Sequence, residues 1–108
     1  DPGGGRPGFG ALLLGYYQDS RLLYAGRVGS GFDYRTLREI SAHLATRKLK
    51  TSPFADKPGA EKGEHFVTPD LVCEIVFAEW TPDGKLRHPR YLGLRDDKPA
   101  RDVVRENQ

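Results

Sequence analysis

Apolar residues come in short runs separated by polar or glycine-rich breaks, the spacing of strands and turns rather than of a helical bundle. Residues 9–18 carry Phe9, Leu12, Leu13, Leu14, Tyr16 and Tyr17, and Asp19-Ser20 interrupts them before a second run over 21–28. Two such runs flanking a short polar break predict a β-hairpin. Strict alternation would put Leu23, Ala25 and Arg27 on one face of the second strand and Leu22, Tyr24 and Val28 on the other. Gly29-Ser30-Gly31-Phe32 breaks the strand, and Asp33 is placed to cap a helix running to Arg47 or Lys48. Leu37, Ile40 and Leu44 give that helix one apolar stripe, while Arg35, Arg38 and Arg47 face elsewhere.

Residues 50–66 contain Pro53, Pro58, Gly59 and Gly63 with no sustained period and read as a long loop, a feature more often functional than idle. Residues 71–80 form the clearest strand, with Val72, Ile75, Val76, Phe77 and Trp80. A Thr81-Pro82-Asp83-Gly84 turn returns the chain as a strand over 86–95, in which Pro89 marks an edge or a bulge. Pro99 can open a short terminal helix over 100–106. The order is β-β-α-β-β-α, which fits two architectures. One is a mainly β OB fold, a five-stranded Greek-key barrel lacking its first strand, with one internal helix and a short C-terminal helix. The other is a small α+β sandwich. Residues 1–8 are expected to be a flexible linker and 9–106 the domain.

Composition narrows the function. The chain has 108 residues, enough for one core. Its 17 basic and 15 acidic residues exclude a polycationic tail but permit a local basic face. No apolar run approaches the length of a membrane span. Asp1-Pro2-Gly3-Gly4-Gly5 does not resemble a signal peptide, so the chain reads as a piece of a larger protein. A single cysteine, Cys73, cannot form an internal disulfide and points to a reducing interior. It sits in an apolar strand, as a packing residue does. His43, His65 and His88 lie far apart, and with one cysteine no metal site is expected. Glu74 and Glu79 fall on opposite faces of a strand, which argues against a paired-carboxylate site. No phosphate-binding loop and no nucleophile elbow is present. Any catalysis must be shared with residues outside this chain.

Two clusters carry the remaining chemistry. Residues 87–98 hold Arg87, Arg90, Arg95 and Lys98, interleaved with His88 and Tyr91. Arg95 and Lys98, three apart at a strand end, can grip separate oxygens of one polyphosphate, with Asp97 between them as an orienting carboxylate. A solvated charge cluster closing a strand is the competing reading. The second cluster, residues 47–54, either complements the helix dipole or forms a phosphate-contact patch with Thr51 and Ser52. Gly29-Ser30-Gly31 could present N–H groups to a phosphate, although such glycines more often serve a tight turn.

The order of these segments resembles the C-terminal OB domain of ATP-dependent DNA ligases, in particular the bacterial DNA ligase D group. The matching stretches are Gly8-Phe9-Gly10-Ala11-Leu12-Leu13-Leu14-Gly15, Ala25-Gly26-Arg27-Val28-Gly29-Ser30-Gly31-Phe32, Lys50-Thr51-Ser52-Pro53-Phe54, residues 74–80, and residues 87–98. The last ends in Arg-x-Asp-Lys, the final motif of covalent nucleotidyltransferases. The resemblance implies a domain that closes over ATP while a lysine on an adenylation domain attacks the α-phosphate. Arg95 and Lys98 would then contact the β- and γ-phosphates, with Asp97 as their orienting partner. It implies ATP and Mg²⁺ as cofactors, the metal held mainly by the adenylation domain. The domain would next clamp nicked or broken double-stranded DNA, with Arg27, Lys48, Lys50, His88 and Arg90 as DNA contacts.

Other partners implied by resemblance are the adenylation domain of the same protein, bacterial Ku and a polymerase domain, in the bacterial cytoplasm at the nucleoid, with repair by end joining as the role. Two departures stand out. No lysine here precedes x-Asp-Gly, so the nucleophile is absent and the chain is not expected to ligate alone. Eukaryotic relatives carry Phe where this chain has His88. Competing functions are a stand-alone OB module that stacks single strands on Tyr16, Tyr17, Tyr24, Tyr34 or Phe54, and the OB domain of an RNA-capping guanylyltransferase.

Overall fold

The computed structural model describes residues 9–105; the expected linker over 1–8 and Glu106 lie outside them. The elements run β1 (Leu12–Gln18), β2 (Arg21–Val28), α1 (Tyr34–Ala45), β3 (Lys48–Leu49), β4 (Phe66–Val67), β5 (Val72–Val76), β6 (Glu79–Trp80), β7 (Leu86–Arg87) and β8 (Arg90–Arg95). A 3-10 turn, Ala100–Asp102, follows where a helix to residue 106 was expected.

The β1–β2 hairpin is present, closed by Asp19 and Ser20 with φ of 53° and 65°. Left-handed backbone at both positions of a two-residue loop is the turn whose twist matches that of paired strands. Strict alternation along β2 fails at one point. The register shifts so that Gly15 pairs with Tyr24 and Leu14 with Gly26, leaving Ala25 as an extra residue. This bulge is eased by Gly26, whose φ is +102°. It moves Val28 to the opposite face from Leu22 and Tyr24, with which alternation had grouped it.

The hairpin therefore serves two cores. Leu13, Tyr17, Leu22 and Tyr24 pack with Phe54 and Phe66. Leu12, Leu14 and Val28 pack with Ile40, Tyr91, Cys73 and Leu94. The second cluster includes Ile40, buried, and Leu44, half-buried, from the helix stripe, and Leu37 is buried as well. Asp33 caps the helix in a reciprocal box with Thr36, accepting from its N–H at 2.8 Å and donating its own N–H to the Thr36 hydroxyl at 2.9 Å.

The strand expected over 71–80 is broken at Phe77-Ala78 into β5 and β6, and the one over 86–95 at His88-Pro89 into β7 and β8. Proline cannot donate to a ladder, and His88 has φ 55°, so the pairing restarts on the far side. β8 carries its own bulge at Leu92, between the pairs Glu74–Gly93 and Ile75–Tyr91.

Among the described residues the strands pair as four two-stranded antiparallel ladders, β1–β2, β3–β4, β5–β8 and β6–β7, and no closed barrel forms. Two ladders are nonetheless joined. The Tyr91 N–H donates to the Ser30 carbonyl at 3.0 Å, and a Cβ on Gly31 would lie 2.2 Å from the Tyr91 carbonyl oxygen. Gly29-Ser30-Gly31 is thus a seam between β2 and β8, where only glycine fits at Gly31.

Candidate functional site

Arg95 ends β8, and its guanidinium is oriented by a residue two positions on. Its Nε donates to Asp97 Oδ1 and its Nη2 to Asp97 Oδ2, both at 3.1 Å. This two-pronged pair fixes the plane of the guanidinium as a single hydrogen bond cannot. The Arg95 hydrogen bonds hold the Asp97 carboxyl below its ordinary value, and the positive charges of Arg95 and Lys98 add to the effect. Lys98 is half-buried and lines, with Arg95, one large cavity beside β1 and β5. The structure brings Arg95, Asp97 and Lys98 together at one rim, with Asp97 committed to Arg95.

Of the predicted DNA contacts, Arg27 and Lys48 line the same cavity as that rim, whereas Lys50, His88 and Arg90 do not. Lys48 and Lys50 are exposed on and just after β3. They line a smaller cleft of about 340 Å³ with Thr51, Ser52 and His65. His88 and Arg90 are exposed at the restart of β8. Arg27 is exposed but engaged, its Nη2 donating to Glu64 Oε2 at 2.9 Å. In the 47–54 cluster the structure shows the helix-end role, carried by Arg47. Arg47 closes the helix by donating to the His43 carbonyl at 2.9 Å and also binds Asp70 at 2.8 Å. Phe54 is buried in a core, and the lysines between them face solvent.

Sequence reasoning missed what organises the long loop. Lys57, nearly buried, donates to Glu64 at 2.9 Å and lies 4.9 Å from the Tyr24 ring centre. Burial by itself raises the Glu64 carboxyl, but the Glu61 N–H, Lys57 and Arg27 outweigh it and leave the group below its ordinary value. Two backbone contacts tie the loop to β2: Ala55 N–H to the Leu22 carbonyl at 2.8 Å, and Tyr24 N–H to Asp56 at 2.9 Å. Nothing in the proline- and glycine-rich pattern signalled this.

Cys73 sits in the core with its thiol pushed up to about 11 by burial, so it is a packing residue. Among the described residues no group of three or more His, Cys, Asp and Glu side chains could hold a metal ion, and the Asp97 carboxylate is already taken by Arg95. The donor set of these residues does not fit a resident Mg²⁺. Among them, too, no helix is long and apolar enough to cross a membrane.

Residues 5–98 match the family described as the ATP dependent DNA ligase C terminal region. The chain belongs to that family, which implies the OB fold. Its relatives include the multifunctional non-homologous end joining protein LigD of Pseudomonas aeruginosa, 42% identical over 98% of this chain and 13% of the relative. LigD of Mycobacterium bovis is 42% identical over 96% of this chain and 14% of its own length. The solved ligase domain of Mycobacterium tuberculosis LigD superposes with a TM-score of 0.87 at 43% identity, covering 96% of this chain and 35% of that one. A mycobacterial DNA ligase D complexed with ATP and MES gives a TM-score of 0.81 at 42% identity, over 90% of this chain and 33% of that one. The chain thus spans about a seventh of the length of these curated relatives.

Proposed function

We propose that this chain is the OB domain of an end-joining ATP-dependent DNA ligase, and that its Arg95-Asp97-Lys98 rim orients the pyrophosphate of ATP while a lysine of an adenylation domain is adenylated. The observation that carries this reading is the two-pronged Arg95–Asp97 pair beside Lys98. Adenylation breaks the bond between the α- and β-phosphates, and negative charge grows on the departing pyrophosphate. Fixed cations at that position stabilise the transition state more than the bound triphosphate, and little reorganisation is needed when Asp97 already holds the guanidinium. Lys98 supplies a point charge and Arg95 a planar donor set, so the two suit different oxygens of one leaving group.

The second role is a clamp on broken or nicked duplex DNA. Lys48, Lys50, His88 and Arg90 are exposed, and Arg27 retains an exposed side chain beside Glu64. Contacts from such residues go to phosphates and are indifferent to sequence, as a nick sealer requires. The relatives' end-joining role supports bacterial Ku and a polymerase domain as further partners, in the bacterial cytoplasm. The finer fold reading is an OB barrel whose first strand lies upstream.

The test is lysine adenylation by the intact ligase polypeptide with ATP and Mg²⁺, native against Arg95→Ala and Lys98→Ala. Slower labelling in both variants is the expected result. Labelling at the native rate in both would remove the nucleotide role and leave the DNA clamp.

A further inference from the structure

Trp80, on β6, is held between other rings and a cation. Tyr16 of β1 and Phe77 make T-shaped contacts with it, at ring-centre distances of 5.3 and 5.5 Å and interplanar angles of 74° and 71°. Two such contacts set the orientation of the indole. The Arg105 guanidinium carbon lies over that ring, 4.7 Å from its centre, well within cation–π range. A second contact lies close by on the chain. The Tyr17 N–H donates to the Val103 carbonyl at 2.7 Å. Residues 103 and 105 are therefore tied to neighbouring positions of β1, one through the backbone of Tyr17 and the other through Trp80 and Tyr16.

The stretch between Lys98 and these anchors is short and stiff. Pro99 has φ −62°, the value its ring enforces. The 3-10 turn after it is closed by the Asp102 N–H on the Pro99 carbonyl at 3.0 Å and the Val103 N–H on the Ala100 carbonyl at 3.1 Å. A constraint at Val103 thus reaches Lys98, five positions back, with little slack. Ala100, Val103 and Val104 line the same cavity as Arg95 and Lys98, so the strap runs along the wall that ends at the rim. The two cations of the rim are held in different ways. Asp97 orients Arg95 with both its oxygens. Among the described residues no ion pair fixes Lys98, so its placement rests on the chain around it.

Resting on the leaving-group reading above, we propose that residues 99–105 are a strap that positions Lys98, and that Arg105, docked on Trp80, is a positioning residue for lysine adenylation. Arg105 acts through Lys98 and is not itself a phosphate contact. An ammonium on a four-carbon stem is a point charge of wide reach, and its pull on a departing pyrophosphate falls with distance. A displacement of about 1 Å from the productive place can cost much of such a group's effect. Two contacts remote from the rim limit that displacement, because a proline and a tight turn connect them to Lys98. Arg95 needs no such strap, since its carboxylate partner is two residues away.

The experiment uses the intact ligase polypeptide and measures lysine adenylation and the sealing of a nick that already carries AMP as separate steps. Native protein is compared with Arg105→Ala, Arg105→Lys, Lys98→Ala and the Lys98→Ala/Arg105→Ala double variant. Arg105 is exposed, so alanine there leaves the core in place. Loss of one exposed cation–π contact should slow adenylation about threefold to fivefold and leave sealing unchanged. Arg105→Lys keeps a cation over the ring and should recover most of that loss. In the Lys98→Ala background Arg105→Ala should have no further effect, because the group it positions is gone. An additive loss there would make Arg105 an independent contact and overturn the inference. Equal losses in both steps, the mark of a general loosening, would overturn it too. If Lys98→Ala slows adenylation and Arg105→Ala does not, only the strap is wrong. If Lys98→Ala itself leaves adenylation at the native rate, the leaving-group reading falls and the positioning role falls with it.

Discussion

Asp97 holds Arg95 by both carboxylate oxygens, each 3.1 Å from a guanidinium nitrogen, although only one residue separates them. The guanidinium plane is thereby set before any ligand arrives. If that preorganisation serves pyrophosphate departure, Arg95→Ala should lower the adenylation rate about 100-fold, the usual effect of removing one charge-stabilising donor. Arg95→Lys should recover little, because an ammonium cannot use both carboxylate oxygens in one plane. Sealing of a nick that already carries AMP should be much less affected. Single-turnover assays of the two steps separate these outcomes, and equal losses in both would contradict a leaving-group role.

Phosphate contact by the exposed basic residues should appear in the salt dependence of DNA binding. Lys48→Ala, Lys50→Ala and Arg90→Ala should each flatten the plot of log affinity against log salt by about 0.9, the contribution of one neutralised phosphate. Titrations of nicked duplex at several salt concentrations measure this. Unchanged slopes in all three would place the DNA on another face.

Gly31 should tolerate no side chain. Alanine there meets the Tyr91 backbone at 2.2 Å on a residue with φ +94°, which predicts a loss of about 2–4 kcal/mol in the intact protein. Gly59 has nothing within 4 Å of an added Cβ, so Gly59→Ala should fall within about 0.5 kcal/mol of native. Denaturant unfolding of the two variants side by side tests the seam directly.

The Lys57–Glu64 contact gives the long loop a pH range. Glu64 titrates below its ordinary 4.5, so its stabilisation is present above that value and is lost as pH falls through the lower folded value. Lys57, raised above 10.5 chiefly by its hydrogen bond to Glu64, contributes below that value and loses its contribution as pH rises through the higher folded one. Limited proteolysis should find residues 55–65 resistant from pH 4.5 to 10.5, opening only as pH falls well below the first value or rises well above the second. Glu64→Gln should make the loop sensitive at neutral pH. Cleavage that ignores both pH and substitution would refute the latch.

With its thiol raised from 9.0 to about 11, native Cys73 should carry about a hundredfold less thiolate at pH 8 than an unperturbed cysteine. Alkylation should be slower by at least that factor until the protein unfolds. Rapid labelling of the folded protein would show that the core around it opens.

What could be read from residue types was whatever depends on local chemistry. The hairpin was legible because a polar pair interrupts two apolar runs, and the helix because Asp33 caps a stripe of Leu37, Ile40 and Leu44. The Ala25 bulge was not, since a bulge is decided by how two strands register and not by either alone. The breaks at Phe77-Ala78 and His88-Pro89 split strands whose apolar content ran straight through them. The ion pair of Arg27 was not legible because its carboxylate partner, Glu64, is 37 positions away. The rim was legible because Arg95, Asp97 and Lys98 are close in sequence. The cavity beside it was not, because it is bounded by β1 and β5, which lie far apart in the chain.

That separation has a consequence for synthesis. β1 ends at Gln18 and β5 begins at Val72. At about 5–20 residues per second, the ribosome needs roughly 3–11 s to make the second wall of that cavity after the first. In that interval the nascent chain carries the kind of unpaired edge that recruits neighbouring chains. The two walls of that cavity thus meet late in synthesis, with a delay fixed by the length of chain between β1 and β5.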